Sequence, residues 1–149
     1  MNFEKTLTYD LMQFANTYRA CLQKSMNEIG LHSGQVFILI SLWNTDGQSQ
    51  IDLVKNLNLA PPTINKMVKS LMNGGFVECQ KCGLDGRMMR VYLTDKGRQS
   101  ESLVTEQWNK LEVQLHSNLT ETEKLVFSQL FIKLKENLGK NIAVLPVDL

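Results

Sequence analysis

Cysteine and histidine, the side chains that most often bind metals or take part in catalysis, are few in this chain. Cys79 and Cys82 form a single C-x-x-C pair, without the second pair that a structural zinc site requires. On a β-strand their side chains would lie on opposite faces. The two histidines, His32 and His116, are far apart in the sequence. We therefore predict ordinary packing cysteines, no metal site and no cofactor.

Motifs for catalysis are also missing from the sequence. It contains no Gly-rich phosphate loop, no nucleophile elbow and no paired-carboxylate motif. We therefore predict that the protein is not an enzyme. No apolar run approaches the length of a membrane span, and the first residues, MNFEKTLTYD, lack the layout of a signal peptide. We expect a soluble, cytoplasmic protein with no membrane partner.

Charge is distributed unevenly along the chain. The 149 residues carry a net charge of only +1. Residues 49–98, however, contain eight Lys or Arg and four Asp or Glu, a net of +4, so the remainder sums to −3. A basic middle between mildly acidic flanks is a possible footprint for a polyanion such as nucleic acid. Taken alone, it is equally typical of an ordinary mixed surface.

The segment PPTINKMVKSLMNGG, residues 61–75, predicts a helix that begins with two prolines and ends at two glycines. Its apolar face comprises Ile64, Met67, Val68 and Leu71. The opposite face has no carboxylate and comprises Thr63, Asn65, Lys66, Lys69, Ser70 and Asn73. A short helix capped by Ser49 and Asp52 precedes it, and its predicted inward residues are Ile51, Leu53, Val54 and Leu57. Two short helices with a tight turn are typical of a helix-turn-helix whose second helix enters the DNA major groove. An ordinary solvent-exposed helix face can have the same composition, so this alternative stays open.

Directly after this helix, the sequence predicts a β-hairpin. Residues 76–82 and 89–93 are short, β-rich runs, and the connection GLDGRM contains a D-G turn signal. A hairpin beside a groove-reading helix can reach neighbouring phosphates or the minor groove. An arginine such as Arg87 suits the narrow, negative minor groove.

Long helices are predicted at both ends of the chain. An apolar stripe runs from Phe3 to Ile29, a second, buried helix covers about 33–43, and Thr94 caps a helix that continues past Trp108. Thr120 and Glu123 form a capping box for a last helix. Its stripe contains Phe127, Leu130, Phe131, Leu134 and Leu138. A winged domain this small cannot cover so much apolar surface, which predicts a two-fold dimer.

The hairpin residues Asp85, Arg87, Leu93, Thr94, Lys96 and Gly97 resemble the wing motif of the MarR family of bacterial transcriptional regulators. The resemblance implies a mainly α fold with a small two-stranded β wing, in which a winged helix-turn-helix is joined to long terminal dimerisation helices. By this likeness, residues 1–30 and 115–149 form the dimerisation helices, residues 33–98 the DNA-binding region and residues 94–118 the connecting helix.

The resemblance further implies a homodimeric, sequence-specific DNA-binding regulator, usually a repressor, released by a small molecule or by oxidation. Its partners would be an inverted-repeat operator in double-stranded DNA, a second copy of the chain and an effector. The family's wing-tip arginine contacts the minor groove while the aspartate orients it, roles that fall to Arg87 and Asp85. The predicted DNA-binding residues are Pro62, Thr63, Asn65, Lys66, Lys69, Ser70, Asp85, Arg87 and Arg90.

Three points remain open at the sequence level. Ala60 stands where a Ser or Asp N-cap is expected, so phosphate contacts at this helix start are either absent or made by the backbone. A crevice for an effector would lie near Met12, Phe37 and Trp43, although core packing explains these residues as well. The alternative function is a winged-helix module that binds protein or senses redox state through Cys79 and Cys82, with weak or no DNA binding.

Overall fold

The computed structural model describes residues 2–82 and 88–139 of the chain. A 3-10 turn at Phe3–Lys5 precedes the first helix. The helices are α1 (Leu7–Asn27), α2 (Ser33–Asn44), α3 (Gln50–Leu57), α4 (Pro61–Asn73), α5 (Asp95–His116) and α6 (Glu121–Gly139), and the strands are β1 (Gln48–Ser49), β2 (Val77–Cys82) and β3 (Met88–Leu93). This order confirms the predicted mainly α fold. In the described ranges, we find no helix with the length and apolar character needed to cross a membrane.

The predicted helix caps are formed by local hydrogen bonds. Ser49 Oγ accepts from the Asp52 N–H at 3.1 Å, and the Asp52 carboxylate accepts from the Ser49 N–H at 3.0 Å. These hydrogen bonds lower the pKa of Asp52. Thr94 Oγ1 accepts from the Gly97 N–H at 3.1 Å. Such side chains satisfy N–H groups that have no partner within the helix, so they fix where α3 and α5 begin.

The sheet has three antiparallel strands in the order β1-β3-β2. Strands β2 and β3 form the predicted wing hairpin, with Val77 opposite Leu93. The third strand, in which Gln48 pairs with Val91, was not predicted. Two residues are too few to show the alternation of a strand. Its pairing attaches the wing to the start of α3.

The core lies between α2, α3, α4 and the sheet, and the inner end of α1 and two residues of α5 join it. The predicted inward face of α4 is confirmed, because Ile64, Met67, Val68 and Leu71 are all buried. Ile51 was predicted to point inward on α3, which is wrong, since it is 67% exposed. Two positions along an α-helix correspond to a rotation of about 200°. Ile51 therefore lies opposite the fully buried Leu53.

Both terminal helices present apolar side chains that the described residues 2–82 and 88–139 leave exposed. No residue of α6 is buried. Its exposed apolar side chains are Leu125, Val126, Phe127, Leu130, Phe131, Ile132 and Leu138, and those of α1 include Leu7, Leu11, Met12 and Phe14. Contiguous exposed apolar surface of this kind marks an interaction site.

Candidate nucleic-acid interface

Helix α4 begins without a side-chain cap. Ala60 offers no hydrogen-bonding group, and Pro61 and Pro62 occupy the first helical positions. Prolines suit these positions because their φ is already helical and they have no N–H to leave without a partner. The same two prolines remove two backbone donors from the start of the helix. An anion near this point must therefore be held mainly by side chains.

The outward face of α4, which we call the recognition face, comprises Pro62, Thr63, Asn65, Lys66, Lys69 and Ser70. Thr63 is half-buried and the other five residues are exposed. The structure therefore brings the six predicted α4 residues onto one surface, opposite the buried side of the helix. This surface combines hydrogen-bonding side chains with two lysine cations.

One recognition-face residue is held by a neighbour that was not predicted. Gln35 Nε2, from the first turn of α2, donates to Ser70 Oγ at 2.7 Å. The same Gln35 side chain accepts from the His32 N–H at 2.8 Å, as part of the α2 capping box. His32 and Gln35 therefore border the recognition face. A histidine N-cap is uncommon, so only the Gln three residues later signalled this box in the sequence.

Of the three wing residues predicted to bind DNA, the structure describes only Arg90. Asp85 and Arg87 lie outside the described residues. Arg90 lies on β3, where its Nη1 donates to the Gly47 carbonyl oxygen at 2.6 Å. This contact joins the wing strand to the turn between α2 and β1. Sequence patterns do not indicate this hydrogen bond, because the partner of Arg90 is a backbone atom 43 positions away.

Asp46, which was also not predicted, stabilises the same turn. Its Oδ1 accepts from the Leu93 N–H at 2.9 Å, and its Oδ2 accepts from Arg98 Nη2 at 2.7 Å. Trp43 Nε1 donates to the Gly97 carbonyl oxygen at 3.0 Å. These bonds connect the end of α2 to β3 and to the start of α5. They fix the position of the wing relative to the helix-turn-helix.

The two wing cysteines lie on opposite faces of β2, as predicted. Cys79 Sγ is 3.4 Å from Met72 Sδ, and Cys82 Sγ is 3.8 Å from the Tyr92 hydroxyl. Burial raises the pKa of the Cys79 thiol. A raised pKa means less thiolate, the form that reacts with oxidants. The described residues contain no cluster of His, Cys, Asp and Glu suited to a metal ion.

A cavity of about 610 Å³ lies between α1, α2, α6 and the end of α5. Its lining is mostly apolar and includes the aromatic rings of Phe14, Tyr18, Phe37, Phe127 and Phe131. Arg19 and Lys135 also line it. Of the three crevice residues considered from the sequence, Phe37 reaches this cavity. Met12 is 62% exposed on α1, and Trp43 packs against the core.

Comparison with known proteins agrees with this architecture. Residues 31–88 match the model of the MarR family. The uncharacterized HTH-type transcriptional regulator YwoH of Bacillus subtilis (strain 168) is 26% identical over 125 residues, which cover 84% of this chain and 90% of that protein. The regulator YdgJ of the same organism is 23% identical over 110 residues, covering 74% of this chain and 67% of its own.

Solved structures share the fold. A MarR transcriptional regulator from Methanosarcina mazei Go1 has a TM-score of 0.79 at 22% identity, covering 95% of this chain and 94% of its own. A MarR-family regulator from Listeria monocytogenes, solved with a 26mer DNA, has a TM-score of 0.76 at 21% identity, and the match covers 92% of this chain and 91% of its own. The family model and this common fold agree with each other. The chain is therefore similar to the MarR family over residues 31–88 and shares the fold of solved MarR regulators.

Proposed function

We propose that the protein is a homodimeric, sequence-specific DNA-binding regulator that represses transcription and is released by a small molecule or an oxidative signal. The observation that carries this proposal is the recognition face of α4. Four apolar residues anchor one side of the helix in the core, and the other side presents Asn65, Lys66 and Lys69 to solvent. A helix fits the major groove, where such side chains hydrogen-bond to base edges and phosphates.

The uncovered terminal helices support the homodimer. Residues 1–30 and 115–149, proposed as dimerisation segments, contain the exposed apolar side chains of α1 and α6. A second copy of the chain offers the same apolar surface, and a two-fold axis would bring the two together. The same axis would place two recognition faces on one side of a duplex. The proposed operator is therefore an inverted repeat with half-site centres about 10 bp apart.

The cavity between α1, α2, α5 and α6 supports release by a small molecule. Its volume of about 610 Å³ falls within the range of ligand pockets. The aromatic lining favours an apolar ring, and Arg19 and Lys135 favour an acidic group on it. Release by oxidation has less support, because burial raises the pKa of the Cys79 thiol. The alternative of a redox-sensing module through Cys79 and Cys82 is disfavoured because the two thiols lie on opposite faces of β2.

Selection of bound duplexes from a random pool tests the proposal directly. Purified full-length protein is expected to enrich an inverted repeat, and sedimentation at micromolar concentration is expected to give a mass near twice 17.0 kDa. A pool that stays random after several rounds would contradict the DNA-binding function. A single asymmetric site, or a monomer, would contradict the dimeric arrangement.

A further inference from the structure

A second cavity, of about 430 Å³, lies beside the recognition face, where the first turn of α2 meets α4. Thr63, Lys66 and Ser70 line one side, and His32 and Gln35 line the other. Among the described residues, those around this cavity include no carboxylate. Its lining thus combines a lysine cation with neutral hydrogen-bonding groups. Such a set of donors suits an anion.

The imidazole of His32 has a defined hydrogen-bonding state. Its Nδ1 accepts from the Gly34 N–H at 3.1 Å. Nδ1 therefore carries no hydrogen, so the hydrogen of the neutral ring is on Nε2. The side chain is exposed, and Nε2 is its remaining polar atom. His32 thus caps α2 with one nitrogen and keeps the other as a donor.

The N–H groups at the start of α2 are not available to an anion. The first three N–H groups of α2 already donate to Gln23 Oε1, His32 Nδ1 and the His32 carbonyl oxygen. The start of α4 has lost two N–H groups to Pro61 and Pro62. Side chains are therefore the donors that remain near this cavity. They are His32 Nε2, Lys66 Nζ and the Ser70 hydroxyl, whose oxygen is occupied by Gln35 Nε2 and whose hydrogen is left to donate.

We propose that this cavity binds one backbone phosphate of the DNA, held by His32 Nε2–H, Lys66 and the Ser70 hydroxyl, with Gln35 as the positioning residue. The inference rests on the proposed DNA-binding function and adds His32 and Gln35, on α2, to the interface. A phosphate contact is independent of base sequence. It would fix the position of α4 along the duplex. Backbone N–H groups of Pro61 and Pro62 cannot do so, because proline has none.

The test combines a His32→Ser variant with modified duplexes. Serine keeps an N-cap oxygen for the Gly34 N–H but removes the imidazole donor. A series of duplexes carries one neutral methylphosphonate at each successive position of the selected operator. At one position per half-site, the wild-type protein is expected to lose about three- to tenfold in affinity, the cost of a hydrogen bond. The His32→Ser variant should lose a similar factor in affinity on the unmodified duplex. A methylphosphonate at the contacted position should then cause this variant no further loss.

Matched variants separate the proposed contact from general effects. Asn109→Ser, at an exposed position of α5, is expected to bind as the wild type does. His32→Asn is a second capped variant, in case His32→Ser lowers the melting temperature. Lys66→Met should reduce the magnitude of the salt slope by about 0.9 for each half-site, about 1.8 for the dimer, whereas His32→Ser should leave it unchanged because the neutral imidazole releases no counterion. Gln35→Leu should weaken binding in the same position-dependent way as His32→Ser.

The outcomes are distinguishable. A wild-type protein that binds no duplex would contradict the proposed function itself. If the wild type binds and His32→Ser adds the same loss at every methylphosphonate position, the phosphate site is wrong and the function stands. Inorganic phosphate at low millimolar concentration that shifts the His32 ring resonances as strongly as the duplex does would indicate a general anion site and would also overturn the proposal.

Discussion

Arg90 Nη1 donates to the Gly47 carbonyl oxygen at 2.6 Å and so joins strand β3 to the turn that precedes β1. Asp46, in the same turn, accepts from the Leu93 N–H at the other end of β3. The wing is therefore attached to the helix-turn-helix at two points. A residue expected from the sequence to contact DNA thus also sets the position of the wing.

Replacing Arg90 tests this positioning role. Arg90→Ala is expected to lower the free energy of unfolding by about 1–2 kcal/mol, because the partly buried Gly47 carbonyl loses a charged donor. Denaturation in urea measures this change. Lys81→Ala, an exposed wing substitution, should change stability by less than about 0.5 kcal/mol. An Arg90→Ala protein as stable as the wild type, but weaker on DNA, would mean that Arg90 serves DNA contact alone.

Gly97, part of the wing motif, is expected to tolerate no side chain. A Cβ at this position would overlap the carbonyl oxygen of Phe76, a backbone atom that also accepts from the Thr94 N–H. Gly97→Ala should therefore destabilise the protein by about 1–3 kcal/mol, as overpacking does. Gly139→Ala is the control, since a Cβ there meets no atom within 4 Å. Equal melting temperatures for the two variants would contradict this close packing.

The terminal helices provide the next prediction. Phe127 and Leu130 of α6 are 50% and 52% exposed in the single chain. A Phe127→Glu, Leu130→Glu double variant should shift the sedimenting mass from the proposed dimer toward 17.0 kDa, because burying a carboxylate in an apolar interface is costly. Lys133→Glu, a charge change at an exposed lysine of the same helix, is the control. If the double variant sediments as a dimer like the control, α6 is not the interface.

The helix starts and the buried face of α4 could be predicted from the sequence because they depend on residues close together in the chain. The capping pairs Ser49 with Asp52 and Thr120 with Glu123 depend on residues three positions apart, so the helix starts were readable. The buried face of α4 followed from its spacing. By contrast, the Gln35–Ser70 bond and the Arg90–Gly47 bond join residues 35 and 43 positions apart. Such contacts depend on how the elements pack, which periodicity does not encode. Strand β1 was missed because its two residues are too few to show the alternation of a strand.

Salt dependence tests the electrostatic part of the proposed DNA contact. If the dimer neutralises roughly eight phosphates, the slope of log affinity against log salt should be about −7. Lys69→Ala should reduce its magnitude by about one for each lysine–phosphate contact removed, and should weaken binding to the selected and scrambled duplexes alike. Titrations between about 50 and 200 mM salt measure both quantities. A flat salt response in the wild type would favour the protein-binding alternative.

Arg87, in the connection between β2 and β3, is predicted to read the minor groove. Arg87→Ala is expected to weaken binding to the selected operator by about 1–3 kcal/mol, the range for a good specific contact. Asp85→Ala should act in the same direction but less strongly, because it removes only the group that orients the guanidinium. The D-G turn signal in the sequence predicts that neither change affects folding much, so urea denaturation should give wild-type values within about 0.5 kcal/mol.

The measurement for Arg87 is a titration of each variant on the selected duplex and on a scrambled one. Loss of affinity for the selected duplex alone would indicate sequence or groove-shape readout, since removing a cation that only meets a phosphate lowers affinity for both duplexes alike. Arg87→Lys separates charge from shape, because lysine keeps the cation but lacks the planar guanidinium. An Arg87→Ala protein that binds both duplexes as the wild type does would mean that the wing is a structural hairpin and that α4 carries recognition alone.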